Sequence, residues 1–289
     1  GLHSAFAIES IVDELVYSVG PLLTAVLAFQ VSLPAPLYAA AVIGVTGCLV
    51  LSLQRRTQPI PSGRHERAAG SAIRSPGLLI VVAVACGLGG VFGGYEVIVA
   101  AFARQAGQPG ASGLILALWA VGSMIGGFAF GARHPRMPLA RQLMLLFAVL
   151  VLVLIPAPFL TSLPGLAVAT FVGGAVVAPA LIATFSMTER LVPGTLLTEG
   201  LSWTNAGIAL GFATGSTLAG WLVDAAGTSW AFALPVASAA LSLVVAAAGQ
   251  RRLLRADSGS SPGALAAAWN SEPVPGPAPG AVADDPPTR

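Results

Sequence analysis

Residues 54–74, QRRTQPIPSGRHERAAGSAIR, separate two long apolar runs and decide how the chain is organised. The run before them covers residues 37–53, and the run after them covers residues 78–102. Each run can cross ~30 Å of hydrocarbon as a helix, which needs about 20 residues. The stretch between them carries five arginines and two prolines. The sequence therefore predicts two membrane-spanning helices joined by a long polar linker.

Further apolar runs of similar length extend this pattern along the chain. They lie at 15–31, 114–131, 143–160, 163–187, 201–223 and 230–248. Thirteen of the fourteen arginines fall in alternate gaps between runs, and only Arg104 lies in a gap of the other parity. Because arginine is retained on the cytoplasmic side, these gaps and the C-terminus are predicted to be cytoplasmic. We therefore expect an all-α, multi-pass protein of the inner (plasma) membrane with about eight transmembrane helices.

The composition excludes several classes of protein. Hydrophobic residues make up 55% of the chain and charged residues 9%, whereas soluble proteins carry about a quarter charged residues. The net charge of +2, spread over the gaps, gives no reason to expect a nucleic-acid partner. Cys48 and Cys86 lie inside apolar runs, where reduced, packed side chains are expected. The absence of lysine and the abundance of alanine indicate a GC-rich bacterial genome.

Glycine distinguishes interior from peripheral spans. Gly207, Gly211 and Gly215 recur at a spacing of four, which gives one flat helix face for close packing against another helix. Residues 143–160 contain no glycine and are bulky on all sides. A helix of that composition suits contact with lipid. We therefore predict that the 201–223 run lies inside the bundle and that the 143–160 run lies at its periphery.

Three local motifs accompany this topology. Gly20-Pro21 resembles the Gly-Pro pair in the fifth span of the major facilitator superfamily. The segment GFAFGARHPR, with Gly127, Gly131 and Arg133, resembles the cytoplasmic loop motif of that family, in which glycines let two helices approach. Residues 192–203 look like the entrance to the eleventh span of bacterial members. Two spans, a basic linker, six spans and a cytoplasmic C-terminus resemble spans five to twelve of a twelve-span member.

The resemblance implies a division of the chain into four parts. These are a two-span remnant of an N-terminal bundle, a cytoplasmic linker, a C-terminal six-helix bundle and a disordered cytoplasmic tail, at 1–53, 54–76, 77–250 and 251–289. The tail is rich in Pro, Gly, Ala and Ser, which disfavours a packed core. The first four spans of the family would be missing, so the chain is expected to be a segment of a longer protein.

The resemblance also implies a function, because family members are secondary transporters that rock two six-helix bundles about a midplane site. We expect alternating-access transport of a small solute, with proton-coupled efflux as one form of it. The partners would be the solute, protons and the lipid bilayer. The alternative is a truncated, non-transporting membrane protein or a membrane scaffold. No catalytic cluster, nucleotide-binding glycine loop or metal-ligand motif occurs in the sequence, so neither enzyme activity nor a cofactor is expected.

Glu96 is the only carboxylate placed well inside an apolar run. A charged side chain at the centre of a spanning helix costs roughly 2.5–3.5 kcal/mol, so it must face protein, a cavity or water. Two interpretations of Glu96 are open: a proton carrier, or an outward-facing, solvated carboxylate beside Tyr95. Trp119 and Trp203 lie near glycine-rich segments and are candidates to line a cavity. Tyr95 and Asn205 complete the predicted substrate or proton pathway, with interhelical hydrogen bonding as the alternative role of Asn205.

Overall fold

A computed structural model describes most of the chain. The described residues are 20, 23–24, 26–27, 30–32, 34–54, 70–132 and 137–259, with backbone only for 256–259. They are almost entirely helical, and no strand occurs among them. The first predicted span, including Pro21, lies largely outside these residues, as do Arg133 and most of the predicted linker.

Eight helices organise the described part of the chain. They are α1 (Ala35–Leu53), α2 (Pro76–Gln105), α3 (Ala111–Ala132), α4 (Leu139–Leu154), α5 (Leu163–Leu191), α6 (Leu197–Ala226), α7 (Ala233–Ala248) and α8 (Gln250–Gly259). One helical turn at Thr228–Ala231 precedes α7. Within the described residues, seven helices are long and apolar enough to cross a membrane. The predicted all-helical fold is therefore confirmed for the described residues, and these seven helices coincide with seven of the eight predicted spans.

Local sequence explains where several helices begin and end. Pro76 occupies the first turn of α2, and the Ser75 hydroxyl accepts a hydrogen bond from the Leu78 N–H at 3.4 Å. Proline is tolerated there because its missing N–H would be unpaired in any case. Gly227 ends α6 with a φ of +85°, a conformation that glycine adopts without strain. The predicted span 143–160 stops early as an α-helix, because Pro156 follows and a 3₁₀ turn covers Ala157–Phe159.

The six helices from α2 to α7 form one bundle with a repeated pattern of neighbours. The first triplet consists of α2, α6 and α7, in which α2 packs against the other two helices. The second triplet consists of α5, α3 and α4, in which α5 packs against the other two. The pairs α2–α5 and α4–α7 also contact each other. Exchanging α2 for α5, α3 for α6 and α4 for α7 leaves this pattern unchanged. The bundle is therefore built from two equivalent triplets.

Contacts along the helices give their relative directions. Gly207 lies against Val82 and Gly215 against Gly90, so residue numbers rise together and α2 and α6 run parallel. Gly94 lies against Leu234, whereas the hydroxyl of Ser242 donates to the Val84 carbonyl, so α2 and α7 run antiparallel. Successive spans alternate in direction along the chain, so each helix of the triplet α3, α4 and α5 runs opposite to its counterpart in the triplet α2, α6 and α7. We call the side with Arg74, Arg141 and Arg190 the arginine end.

Helices α4, α1 and α8 differ in how much of their surface they bury. The glycine-free α4 buries a single stripe against α5 and α7, formed by Leu143, Phe147, Leu150 and Leu154, and exposes its other side. By contrast, α1 buries none of its residues. Beyond the predicted tail boundary at 251 the chain continues as α8, because Leu253 is fully buried across the arginine ends of α4 and α5. The first nine residues of the predicted disordered tail are therefore helical.

Candidate functional site

Glu96 stands apart from the other charged residues of the described bundle. Every other charge on α1 to α7 lies in the first or last turn of its helix, as Arg104, Glu199 and Asp224 do. Glu96 lies about 8 Å beyond the midpoint of α2 at 1.5 Å per residue, within the ~15 Å half-thickness of the hydrocarbon. Its side chain is exposed and makes no hydrogen bond or ion pair with a described residue.

Glu96 shares one face of the bundle with a stripe on α6. The stripe consists of Asn205, Phe212 and Ser216, which recur at intervals of seven and four and so lie on one side of the helix. At Gly93, one turn before Glu96, α2 approaches α6 closely: a Cβ atom at Gly93 would lie 2.7 Å from Ser216 Oγ. We call these four residues, Glu96, Asn205, Phe212 and Ser216, the Glu96 face.

Tyr95 points away from this face although it is adjacent to Glu96 in sequence. Its ring is 1% exposed and lies 4.7 Å from the ring of Trp119 and 5.7 Å from that of Phe232. Phe92 and Phe102 complete this aromatic cluster. Successive residues of a helix differ by about 100° in direction. Tyr95 is therefore a core residue, and Glu96 projects from a different side of α2, about 100° away around the helix.

A hydrogen bond joins the two triplets within this core. Tyr95 Oη lies 3.1 Å from Thr170 Oγ1, and the Thr170 hydroxyl lies 2.7 Å from the Leu166 carbonyl. A threonine hydroxyl has one proton, which the carbonyl receives, so the Tyr95 hydroxyl donates to Thr170. The donor on α2 and the acceptor on α5 are thus both satisfied inside the bundle.

The other predicted pathway residues occupy three different environments. Trp119 is 8% exposed and fills the space between α3 and Gly173 of α5, where it belongs to the aromatic core. Trp203 is 41% exposed, and its Nε1 donates to Glu199 at 3.4 Å. Asn205 is exposed and has no hydrogen-bond partner among the described residues. Of the five predicted pathway residues, the structure brings only Glu96 and Asn205 onto one exposed face.

The predicted packing glycines divide into close contacts and open positions. A Cβ atom at Gly211 would overlap the Cys86 carbonyl, and one at Gly215 would lie 2.6 Å from the Gly90 carbonyl oxygen. At Gly207 the distance to the Val82 carbonyl oxygen would be 2.7 Å. Gly127 is looser, since a Cβ atom would lie 3.1 Å from that of Ala178. Gly20 and Gly131 have no described atom within 4 Å of such a Cβ position.

Sequence reasoning did not single out Phe212 or Ser216. Counting seven and eleven residues forward from Asn205 along the same helix would have placed both on its side. It also missed Ser71, whose hydroxyl donates to Glu199 across 128 positions of sequence. No local pattern could have found that contact, because it depends on how the segment before α2 folds back onto α6.

The Glu96 face offers a carboxylate, an amide, a hydroxyl and an aromatic ring. No group of three or more His, Cys, Asp and Glu side chains that could hold a metal ion occurs among the described residues. The Glu96 carboxylate can exchange a proton, and the ring, amide and hydroxyl of α6 can contact an amphipathic molecule. No family model, curated protein or solved structure matches this chain.

Proposed function

We propose that this chain takes part in secondary transport of a small solute, and that the Glu96 face lines the pathway. The observation that carries the proposal is the exposed Glu96 carboxylate at membrane depth, one turn beyond Gly93, which packs against Phe212 and Ser216. A carboxylate that faced lipid at this depth would be costly, so a water-filled or protein-lined space is expected in front of it. Such intramembrane carboxylates mark substrate and proton pathways.

The arrangement of the helices supports the same proposal. Two equivalent triplets of opposite direction, each with three helices, are the building plan of many secondary transporters. In those proteins the substrate site lies near the bilayer midplane, where repeats meet. This agrees with the resemblance to the major facilitator superfamily, and the proposed form of transport is proton-coupled efflux by alternating access across the bacterial inner membrane.

One observation favours the alternative of a non-transporting membrane protein or scaffold. The spanning helix α1 buries none of its residues, so only one helical bundle is complete among the described residues. Alternating access in this family needs two bundles that rock against each other. The experiment below separates the two functions.

The test compares Glu96→Gln with the parent chain in liposomes that contain the pH-sensitive dye pyranine. Ethidium, a fluorescent amphipathic cation, serves as the transport probe. We expect Glu96→Gln to abolish the proton flux that accompanies ethidium movement, because the amide cannot carry a proton. The matched control is Asp224→Asn, which removes an exposed carboxylate from the last turn of α6 and should change the flux by less than about two-fold.

Normal coupled flux in Glu96→Gln under every pH gradient would remove Glu96 from the proton pathway. Absence of ethidium movement and proton flux in the parent chain itself would favour the non-transporting alternative for this probe.

A further inference from the structure

Helices α2 and α6 are joined at the arginine end by a polar contact between the segment before α2 and the first turn of α6. The Ser71 hydroxyl and the Ala72 N–H donate to the Glu199 carboxylate, which also accepts from Trp203 Nε1. Ala72 is 2% exposed and packs with Leu78 in a small apolar cluster. The segment before α2 is thus fastened to the first turn of α6 by both hydrogen bonds and apolar packing.

A second tie joins the same two helices at the opposite end. The Thr228 hydroxyl donates to Gln105 Oε1 at 2.7 Å. Gln105 is the last residue of α2, and Thr228 directly follows Gly227, which ends α6. Thr228 is 7% exposed and Gln105 is exposed, so the bond is partly buried. Each end of the pair therefore has its own hydrogen-bonded connection.

Between the ties, the two backbones touch over about three helical turns. Gly207, Gly211 and Gly215 of α6 face carbonyls of α2, and Gly89 and Gly93 of α2 face the backbone of α6 in return. Sliding one helix by a single residue moves it by about 1.5 Å and would bring bulkier positions against these carbonyls. Close-packed interfaces resist continuous deformation of this kind.

We propose that α2 and α6 form one rigid two-helix body, in which the Ser71–Glu199 and Gln105–Thr228 ties fix the lengthwise register. The inference rests on the proposed function, because alternating access requires helices to move during transport. A rigid α2–α6 pair would move as one unit. The consequence is that the two helices carry the Glu96 face as one surface: Glu96 of α2 and Asn205 and Ser216 of α6 keep their spacing in every state.

The test measures distances between nitroxide labels by electron–electron double resonance. Both native cysteines, Cys48 and Cys86, are replaced by alanine, and labels are attached at Leu79→Cys on α2 and Trp221→Cys on α6. These positions are 49% and 65% exposed and lie near opposite ends of the pair. The labelled protein is compared in acidic and alkaline buffer, first with both ties intact and then as the double variant Glu199→Ala/Gln105→Ala.

With the ties intact we expect one narrow distance that is the same in both buffers. In the double variant the distribution should broaden by at least about 1.5 Å, the rise of one helical residue. The matched control, Glu189→Ala/Gln108→Ala, removes an exposed carboxylate and an exposed amide whose side chains make no hydrogen bond or ion pair with a described residue. It should retain the narrow distribution.

Two results would overturn the inference: a distance that shifts between buffers in the tied protein, or a double variant as narrow as its control. The distances are readable whether or not the protein transports ethidium. Failure of the rigid pair and failure of the proposed transport function are therefore separate outcomes.

Discussion

The pairs α2–α6 and α3–α5 occupy equivalent places in the two triplets, yet they are held differently. Both run parallel, and both bring glycine against backbone, at Gly211 in the first pair and at Gly126 in the second. The first pair stays in contact and is tied at both ends. The second separates towards the arginine end, where an open apolar groove of about 540 Å³ lies between the helices beside Gly131.

The difference shows that glycine permits close approach but does not determine how far along a helix the approach extends. In the α3–α5 pair, Gly122 and Gly126 touch the α5 backbone, whereas Gly131 has no described atom near its Cβ position. Within the described residues, no side chain of α3 (Ala111–Ala132) forms a counterpart to the Ser71–Glu199 tie. Polar contacts beyond the glycines therefore distinguish a pair closed along its length from one open at one end.

The largest expected effect comes from breaking the closed pair in its middle. Gly211→Leu would push a branched side chain into the Cys86 carbonyl, and overpacking of this kind costs about 1–3 kcal/mol or more. We expect the yield of monodisperse protein in detergent, measured by size-exclusion chromatography, to fall steeply. Val151→Ala, on the half-buried side of α4, is the control and should retain most of the yield. Equal losses from both would contradict the assignment of α6 to the interior.

The second pair allows a sharper comparison within one helix. Gly126→Ala would overlap the Ala175 carbonyl, whereas Gly131→Ala would meet open space. We expect Gly126→Ala to lower the free energy of unfolding by about 1–3 kcal/mol and Gly131→Ala to leave it nearly unchanged. Unfolding in mixed micelles with increasing dodecyl sulfate measures both. A Gly131→Ala variant as unstable as Gly126→Ala would mean that the α3–α5 groove is closed.

The smallest expected effect concerns the bond between the triplets. Tyr95→Phe removes the hydroxyl that donates to Thr170 and retains the ring among Trp119 and Phe232. Interhelical hydrogen bonds in membranes are worth about 0.6 kcal/mol on average, so a loss of that size is expected in the same unfolding assay. Tyr38→Phe, on the exposed α1, should have no effect. Identical stability of both variants would show that the Tyr95 hydroxyl contributes nothing to joining α2 and α5.

Part of this architecture follows from the sequence by counting. Runs of about 20 apolar residues give the spanning helices, and a glycine spacing of four predicts a contact face at Gly207, Gly211 and Gly215. The depth of Glu96 follows from its distance to the ends of its run. These inferences succeed because each depends on one helix alone, whose rise and turn are fixed by backbone geometry.

The remaining features depend on which helices meet. Tyr95 and Glu96 are neighbours in sequence, but the position of α5 decides that Tyr95 is buried and Glu96 exposed. Trp203 and Asn205 differ by about 200° around α6. The predicted pathway therefore combined residues of different faces. The periodicity of one helix does not show which of its faces packs against another helix when both faces are apolar. Either face could then contact lipid or protein.

The buried leucine of α8 bears on the order in which the protein can be made. Leu253 is the last fully buried side chain of the described chain, and it packs where α4 and α5 reach the arginine end. Synthesis proceeds from the N-terminus, so every described span is already translated when this residue appears. A ribosome that stalls before Leu253 would leave a bundle whose arginine end is uncovered. The core is therefore complete only after the short helix α8 has been synthesised. Until then, the uncovered apolar surface at the arginine end is a target for quality-control proteases.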